Sequence, residues 1–120
     1  MARVKRSNSA QKKRRKVLEE TKGYYGLKHS TYRQAKQQLL KSYTYAYRDR
    51  KVRKRDFRRL WIMRINAGAR SHGLSYNEFM HGLKVAKIDL NRKTLAELAV
   101  QEPQVFAEIA GKAKEALASA

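Results

Sequence analysis

The polar and apolar positions from Thr31 to about Ser71 predict one long helix. This stretch of about forty residues contains no proline, and its first glycine is Gly68. At about 1.5 Å of rise per residue, such a helix would be roughly 60 Å long, and it far exceeds the ~11–12 residues of an average helix. Thr31 and Gln34 fit a capping box, in which both side chains satisfy free backbone N–H groups at a helix start.

The apolar positions of this helix fall into two groups. The earlier group predicts a seam, either of a coiled coil or of a hairpin with the preceding helix, and its members are Tyr32, Ala35, Leu39, Tyr43 and Ala46 or Tyr47. The pattern lasts only about two heptads, which argues against the coiled coil. The later group predicts the part of the helix that joins a core, and its members are Phe57, Leu60, Trp61, Ile65 and Gly68.

The chain before the long helix is predicted to contain one shorter helix. Residues 1–9 are interpreted as an extended basic arm. Good helix formers run from Ala10 to about Lys22, and Gly23 provides a stop. The sizeable apolar residues of this helix are Val17 and Leu18 alone, so it needs something other than a protein core to lie against.

Three shorter helices are predicted after the long one, which Gly73 ends. The first, through about Ala86, begins at a capping box of Ser75 and Glu78; Asn91 caps the second, and Pro103 fits the first position of the third. Their predicted apolar faces comprise Tyr76, Phe79, Met80, Leu83, Leu95, Leu98, Ala99, Val105, Phe106, Ile109, Ala110, Ala113 and Leu117. No segment alternates like a strand. The predicted fold is all-α, with a long basic N-terminal helical extension followed by a small C-terminal α-helical bundle.

The net charge is confined to the first part of the chain. Residues 1–70 contain 23 Lys and Arg against four acidic residues, a net charge of +19, whereas residues 71–120 contain six of each. We therefore divide the chain into a basic extension, residues 1–56, and a compact domain, residues 57–120. The extension has too few apolar residues to offset its ordering entropy, so it is expected to order on a partner, while the domain should fold alone.

The most basic segment is residues 48–59, which hold eight Lys or Arg and two Asp. At ~100° per residue these cations cover about two-thirds of the helix circumference. Like-charge pairs four residues apart each oppose the helix by roughly 0.2–0.5 kcal/mol, so the segment alone should fray. A polyanion would reverse this effect, because each phosphate contact releases condensed counterions. A solvated helix usually mixes both signs, and the segment therefore predicts polyanion binding.

Several classes of protein are excluded or disfavoured by composition. The absence of cysteine excludes disulfides and thiolate-bound zinc, and no apolar run approaches the 18 residues of a membrane span. A membrane-surface helix is disfavoured because residues 48–56 offer only Val52 as an apolar residue. The start resembles an organellar transit peptide, but the basic character continues far beyond one, through Arg70. A secretory signal would need an apolar stretch that is missing.

The sequence offers no cluster of catalytic or metal-binding residues. His29, His72 and His81 lack the spacing of metal ligands, and neither phosphate-binding glycine motif occurs. We interpret His29 and His72 as helix-end or phosphate contacts and His81 as exposed. The predictions are no enzyme, no metal, no cofactor and no small-molecule substrate.

Three kinds of nucleic-acid protein remain. A sequence-specific DNA reader would keep one helix face neutral, unlike this segment. An architectural DNA protein is a stronger competitor, because it needs only basic patches and wedges. RNA is favoured because six of the seven tyrosines precede residue 50, interleaved with cations that bind phosphate. Tyr24 and Tyr25, between Gly23 and Gly26, could equally stack on bases or cover a helix end.

Several runs of this sequence resemble the sequences of a known protein family. The run YAYRDRKVRKRDFRRLWIMRINAGAR at Tyr45–Arg70 and the run HGLSYNEFMHGLKVAKIDLNRKTLAELA at His72–Ala99 closely resemble the bacterial large-subunit ribosomal protein L20 family, as do MARVKR at the start and KGYYG at Lys22–Gly26. The resemblance covers essentially the whole chain. The chain differs at Gly68, where the family resemblance leads us to expect Ala. Because glycine disfavours helix, we predict that the last turns of the long helix are looser.

The resemblance implies a structural role in the ribosome. Members bind 23S ribosomal RNA (rRNA) directly, early in assembly of the 50S subunit, and take no part in peptidyl transfer. A long helical extension lies between RNA segments, and a helical C-terminal domain lies on the subunit surface. Neighbouring ribosomal proteins are implied partners. Some members repress translation of their own operon through the C-terminal domain, which makes the chain's own mRNA a further candidate partner. The implied location is the ribosome in the bacterial cytoplasm, or in an organelle.

The resemblance also implies a set of rRNA-binding residues. These are Arg3, Lys5, Arg6, Lys12, Lys13, Arg14, Arg15, Lys16, Tyr24, Tyr25, Lys28, His29, Arg33, Arg48, Arg50, Lys51, Arg53, Lys54, Arg55, Arg58, Arg59, Arg64 and Arg70. The core of the small domain is assigned instead to Phe57, Leu60, Trp61, Ile65, Phe79, Leu83, Leu95 and Phe106. Phosphate contacts are expected to dominate, so specificity would come from RNA shape.

Overall fold

The computed structural model describes residues 8–119, and every described element is helical. The elements are α1 (Asn8–Glu20), a 3₁₀ helix (Gly26–His29), α2 (Tyr32–Ser71), α3 (Tyr76–Val85), α4 (Arg92–Gln101) and α5 (Pro103–Ala118). No strand occurs within this range. The all-α prediction, with one long helix and three shorter helices after it, is confirmed.

One helix start and one short element differ from the sequence prediction. Helix α1 begins at Asn8, so Asn8 and Ser9 are helical rather than part of an extended arm. The 3₁₀ helix at Gly26–His29 was not predicted. It is one short turn, and its length is below what a 3.6-residue apolar pattern can reveal. The glycines on either side of Tyr24 and Tyr25 both have positive φ, +81° at Gly23 and +63° at Gly26, which explains why glycine occupies them.

Contacts group the described residues into two compact units, one up to Lys51 and one from Val52 onward. The first unit buries little. Its fully or nearly fully buried residues are Thr21, Ala35 and Leu39. The Thr21 hydroxyl donates a hydrogen bond to the Val17 carbonyl at 3.0 Å, which satisfies this buried polar group at the end of α1. So small an apolar interior agrees with the low apolar content of the sequence.

Helices α1 and α2 meet in the first unit through polar and aromatic side chains. The Arg14 guanidinium lies over the Tyr32 ring, 5.6 Å from its centroid. The Tyr43 hydroxyl donates to the Glu20 carboxylate, and this hydrogen bond raises the pKa of Tyr43. Arg14 thus contacts the start of α2, whereas Glu20, at the end of α1, contacts Tyr43 further along α2. In an antiparallel hairpin the end of α1 would instead lie beside the start of α2. The seam residues predicted on α2 are used, but the hairpin interpretation was wrong.

The second unit is built on a compact core. Ile65, Phe79, Leu95 and Phe106 are its largest fully buried apolar side chains, and the Phe79 and Phe106 rings lie 5.2 Å apart. Trp61 is half-buried and packs against this cluster. Each helix therefore contributes an apolar stripe to one shared interior, as the sequence predicted.

The ends of the helices in this unit are capped as the sequence predicts. Gly73 has a φ of +78°, and the N–H groups of Gly73 and Leu74 donate to the carbonyls of Arg70 and Ala69, each at 3.0 Å. This is a Schellman motif, which satisfies carbonyls at the end of α2. The Asn91 side chain accepts from the Thr94 N–H at 2.8 Å at the start of α4. Pro103 is the first residue of α5.

Two residues assigned to the core, Phe57 and Leu60, are exposed, and so is Val105 of the predicted apolar face of α5. Phe57 and Leu60 keep 49% and 38% of their surface, and Val105 keeps 38%. The core reaches α2 only from Trp61 onward, so the two residues on the preceding turn lie beyond it. Periodicity gives the direction of a side chain around a helix, but it does not say where along the axis the packing partner ends.

Close helix packing depends on two glycines. A Cβ at Gly68 would lie 2.9 Å from Cε1 of Phe106, so glycine leaves room for that buried ring. A Cβ at Gly82 would lie 2.5 Å from the Ala113 carbonyl oxygen, which shows how closely α3 and α5 approach. The role of Gly68 is thus to admit an aromatic side chain, which its helical position alone did not indicate.

We expect Gly82→Ala to destabilise the protein by about 1–3 kcal/mol, because the new methyl group overlaps backbone rather than a movable side chain. The matched control is Gly111→Ala in α5, where a Cβ would meet nothing within 4 Å. That change should stabilise the protein by about 0.5–1 kcal/mol through helix propensity alone. Thermal unfolding followed by circular dichroism measures both, and equal shifts of the two variants would contradict the packing argument.

The start of α3 contains a pH-sensitive cap. The Ser75 backbone N–H donates to the Glu78 carboxylate at 2.7 Å, and the Ser75 hydroxyl accepts from the Glu78 N–H. The bond from the Ser75 backbone is the main cause that lowers the pKa of Glu78 below its ordinary value of 4.5. A lowered folded-state pKa means that the stabilisation is present above the unfolded-state pKa and is lost as the pH falls through the folded-state pKa.

We therefore expect the difference in melting temperature between the wild type and Glu78→Gln to be constant from pH 7 to about pH 5 and to shrink below about pH 4.5. Gln keeps the hydrogen-bonding oxygen, so the comparison isolates the carboxylate charge. Melting curves recorded across this range provide the test. A difference that grows on acidification would show that the expected sign is wrong.

Candidate nucleic-acid interface

The basic segment at residues 48–59 lies entirely within α2, and all of its side chains are exposed. Two of its cations are close to the segment's carboxylates. Arg48 Nε donates to Asp49 at 2.8 Å, and an Arg59 nitrogen lies 3.8 Å from an Asp56 oxygen. The bond to Asp49 raises the pKa of Arg48 above its already high ordinary value, so this side chain stays charged. Exposed pairs of this kind contribute little to stability.

Five other cations of the segment make no contact of this kind with the described part of the protein. Within residues 8–119 no hydrogen bond, ion pair or ring contact involves Arg50, Arg53, Lys54, Arg55 or Arg58. Their positive charges repel one another along and around the helix. The segment therefore presents guanidinium and ammonium groups whose hydrogen-bond donors are available to an external anion.

Just before and within the basic segment, several cations lie against exposed tyrosine rings. Tyr45 has two cations near its ring, with Lys41 Nζ 5.1 Å and the Arg48 guanidinium 4.9 Å from the ring centroid. Lys51 Nζ lies 4.4 Å from the centroid of Tyr47 and donates to its hydroxyl at 2.7 Å. Tyr45 and Tyr47 are 44% and 58% exposed. The rings hold these cations in place by cation–π attraction and still present surface to a ligand.

The predicted binding residues of α1 are all exposed, and some of them share a groove with the junction that follows. Lys12, Lys13, Arg14, Arg15 and Lys16 lie on one stretch of α1. A groove of about 480 Å³ is lined by Arg14, Arg15, His29 and Lys22. Lys22 was not in the predicted set, although its place directly before Gly23 in a basic segment could have indicated it.

The two tyrosines of the junction have different environments. Tyr24 is half-buried, and its hydroxyl shares a hydrogen bond of 3.0 Å with the Ser42 hydroxyl. Tyr25 is 92% exposed. The covering interpretation thus fits Tyr24, while Tyr25 is available for stacking. His29 Nδ1 donates to the Tyr24 carbonyl at 2.8 Å, because a carbonyl can only accept. This bond directs Nε2 of the ring away from the backbone.

The remaining predicted residues are spread along the chain. Lys28 lies in the 3₁₀ helix and Arg33 in the first turn of α2, and both are exposed. Arg64 is exposed on α2, and Arg70 Nε donates to the Asn66 side chain at 3.4 Å. Arg3, Lys5 and Arg6 lie outside the described residues. Apart from the half-buried Tyr24, the described candidates are therefore exposed, each within its own unit.

One cation missed by the sequence analysis comes from the neutral part of the chain. Lys93 of α4 lines a groove with Phe57, Trp61 and basic residues of α2. No charge pattern around Lys93 singles it out, because it lies among equal numbers of acidic and basic residues. Only the fold brings it to the basic helix.

Metal sites and membrane spans are both missing from residues 8–119. No group of three or more His, Cys, Asp or Glu residues in this range could hold a metal ion. No helix there combines the length and the apolar character that spanning a bilayer would require.

Fold and surface together define a basic, all-α protein whose longest helix exposes unpaired cations. The family model described as Ribosomal protein L20 matches residues 3–109. The chain is also similar to proteins named large ribosomal subunit protein bL20: 60% identical over 117 residues to that of Rubrobacter xylanophilus, covering 98% of the chain and 88% of the relative. It is 54% identical over 118 residues to that of Lactococcus lactis subsp. cremoris and 56% over 117 residues to that of Oceanobacillus iheyensis, each covering 98% of the chain and 99% of the relative. The chain belongs to the ribosomal protein L20 family, a family of structural proteins of the large ribosomal subunit.

Proposed function

We propose that this chain binds 23S rRNA directly and acts as a structural component of the large ribosomal subunit. The observation that carries the proposal is the set of unpaired cations around α2, at Arg50, Arg53, Lys54, Arg55 and Arg58. Phosphates on several sides of the helix would neutralise these charges and release counterions. Membership of a large-subunit family supplies the reason to choose rRNA over chromosomal DNA as the polyanion.

The exposed side chains indicate how the chain would recognise RNA. Lys and Arg predominate, and they contact phosphates on any sequence. Tyr25, Tyr45 and Tyr47 add exposed rings that suit unpaired bases. We infer that the chain recognises the shape of folded RNA, with phosphate contacts along α1 and α2 and few contacts to base edges. We propose no catalytic step, because the family is one of structural proteins of the ribosome.

We place this binding early in the assembly of the subunit. A helix contacted by RNA on several sides has to be present before those RNA segments close around it. Cations that repel one another in the free chain would also draw distant RNA segments together, which would assist their folding.

Neighbouring ribosomal proteins are proposed as further partners. The matched relatives come from bacteria, which favours a bacterial ribosome over an organellar one. Repression of the chain's own operon rests on the resemblance alone and stays a prediction.

We expect the double change of Arg50 and Arg55 to Ala to weaken binding to a 23S rRNA fragment and to flatten its salt dependence. The slope of log K against log salt concentration should become shallower by up to about 0.7–0.9 for each phosphate that the variant no longer neutralises. Filter binding or fluorescence anisotropy over a series of salt concentrations measures this slope.

The control for this experiment is the double change of Lys112 and Lys114 to Ala in α5, which removes the same charge from another exposed surface. Its slope should remain close to that of the wild type. If both double variants flatten the slope equally, net charge alone drives the association and α2 is not the interface. If neither changes it, the proposed phosphate contacts are absent.

A further inference from the structure

The second unit contains an open groove in which two aromatic rings lie among cations. Phe57 and Trp61 are one helical turn apart on α2, with their ring centroids 6.3 Å apart and their planes tilted by 45°. The groove has a volume of about 590 Å³, and Lys93 of α4 lines it together with residues of α2. This volume lies within the ~300–1,000 Å³ of sites that hold small molecules or parts of them.

The rings are held in place although one of them is exposed. Trp61 is half-buried and packs against the core of the second unit. Phe57 is 49% exposed, so part of its side chain can contact a ligand. Both rings line the groove, which therefore has an aromatic surface.

The charged side chains that line the groove indicate that its ligand is negatively charged. Arg53, Lys54 and Arg58 contribute positive charge from α2, and Lys93 contributes it from α4. No carboxylate of the described residues lines the groove. A segment of a protein partner would bring apolar side chains but rarely matching negative charge, whereas a nucleotide carries a flat ring and an anionic phosphate together. The combination therefore favours a nucleotide.

We propose that the groove between Phe57, Trp61 and Lys93 binds an unpaired base of RNA, which stacks on the aromatic surface while its phosphates contact the surrounding cations. This proposal rests on the proposed RNA-binding function and adds to it a place where the chain distinguishes unpaired from paired RNA. A base inside a duplex is covered on both faces by its neighbours, so only an unpaired base can lie against Phe57. Elsewhere on α2, phosphate contacts are indifferent to pairing.

Trp61 makes the proposal directly measurable, because it is the only tryptophan of the chain. A base stacked in the groove should quench its fluorescence. The full-length protein would be titrated with three probes: single-stranded oligoadenylate, the duplex of oligoadenylate with oligouridylate, and inorganic polyphosphate. We expect the single strand to quench Trp61 strongly at saturation, and the duplex and polyphosphate to bind with little quenching.

The variant that tests the stacking surface is Phe57→Leu, which keeps an apolar side chain but removes the ring. It should weaken single-strand binding by about 5-fold or more, as expected when one base no longer stacks on a ring, while duplex binding changes by less than about twofold. Phe57→Tyr, which keeps a ring, should restore single-strand affinity. Because Phe57 lies outside the core, melting curves of both variants should match that of the wild type.

The outcomes separate this proposal from the proposed function. Equal quenching by all three probes would mean that phosphate contact alone alters Trp61, and it would overturn base stacking. Salt-dependent binding of the single strand without quenching, and without an effect of Phe57→Leu, would also overturn the groove proposal and leave RNA binding intact. Failure of both RNAs and of the 23S rRNA fragment to bind would overturn both.

Discussion

Mutual repulsion among the cations of α2 is the constraint on which the rest of this structure depends. Four pairs of like charge are spaced four residues apart between Arg50 and Arg59, and together they oppose the helix by about 1–2 kcal/mol. That amount is a large fraction of the stability of a small domain. The two carboxylates of the segment are exposed and compensate for it only slightly. The helix therefore has a strong preference for surroundings that supply negative charge.

Packing in the second unit stabilises α2 against the repulsion between its own charges. Ile65 and Ala69 of α2 are fully buried against the other helices, and the Schellman motif at Gly73 ends α2 firmly. Burial of this end gives α2 a stable turn from which the basic segment can continue, because extending a helix costs far less than starting one. Among the described residues of the first unit, only Thr21, Ala35 and Leu39 are buried, so this unit offers much less support to its own part of α2. A well-packed core on one end and a charged surface elsewhere thus coexist in one chain.

The helices of the second unit and their caps could be predicted from the sequence, whereas the contacts between distant residues could not. Ser75, Asn91, Gly73 and Pro103 act through backbone groups a few residues away, so their roles are visible in local sequence. The exposure of Phe57 and the place of Lys93 in a groove depend on where α4 packs along α2, which no local pattern encodes. The order in which α1 meets α2 was missed for the same reason, since periodicity defines faces but not directions. The charge surface was predictable because it depends on composition and helix geometry alone.

The most direct test of this account is hydrogen exchange of the backbone amides of residues 48–59. In the free protein at low salt these amides should exchange faster than those of residues 62–71, which belong to the same helix but join the core. Exchange of the basic segment should slow as salt is raised, and it should slow much further when a 23S rRNA fragment is bound, while residues 62–71 change little. Exchange in residues 48–59 that is slow at low salt and indifferent to both salt and RNA would contradict the claim that repulsion between these cations makes the helix depend on a polyanion.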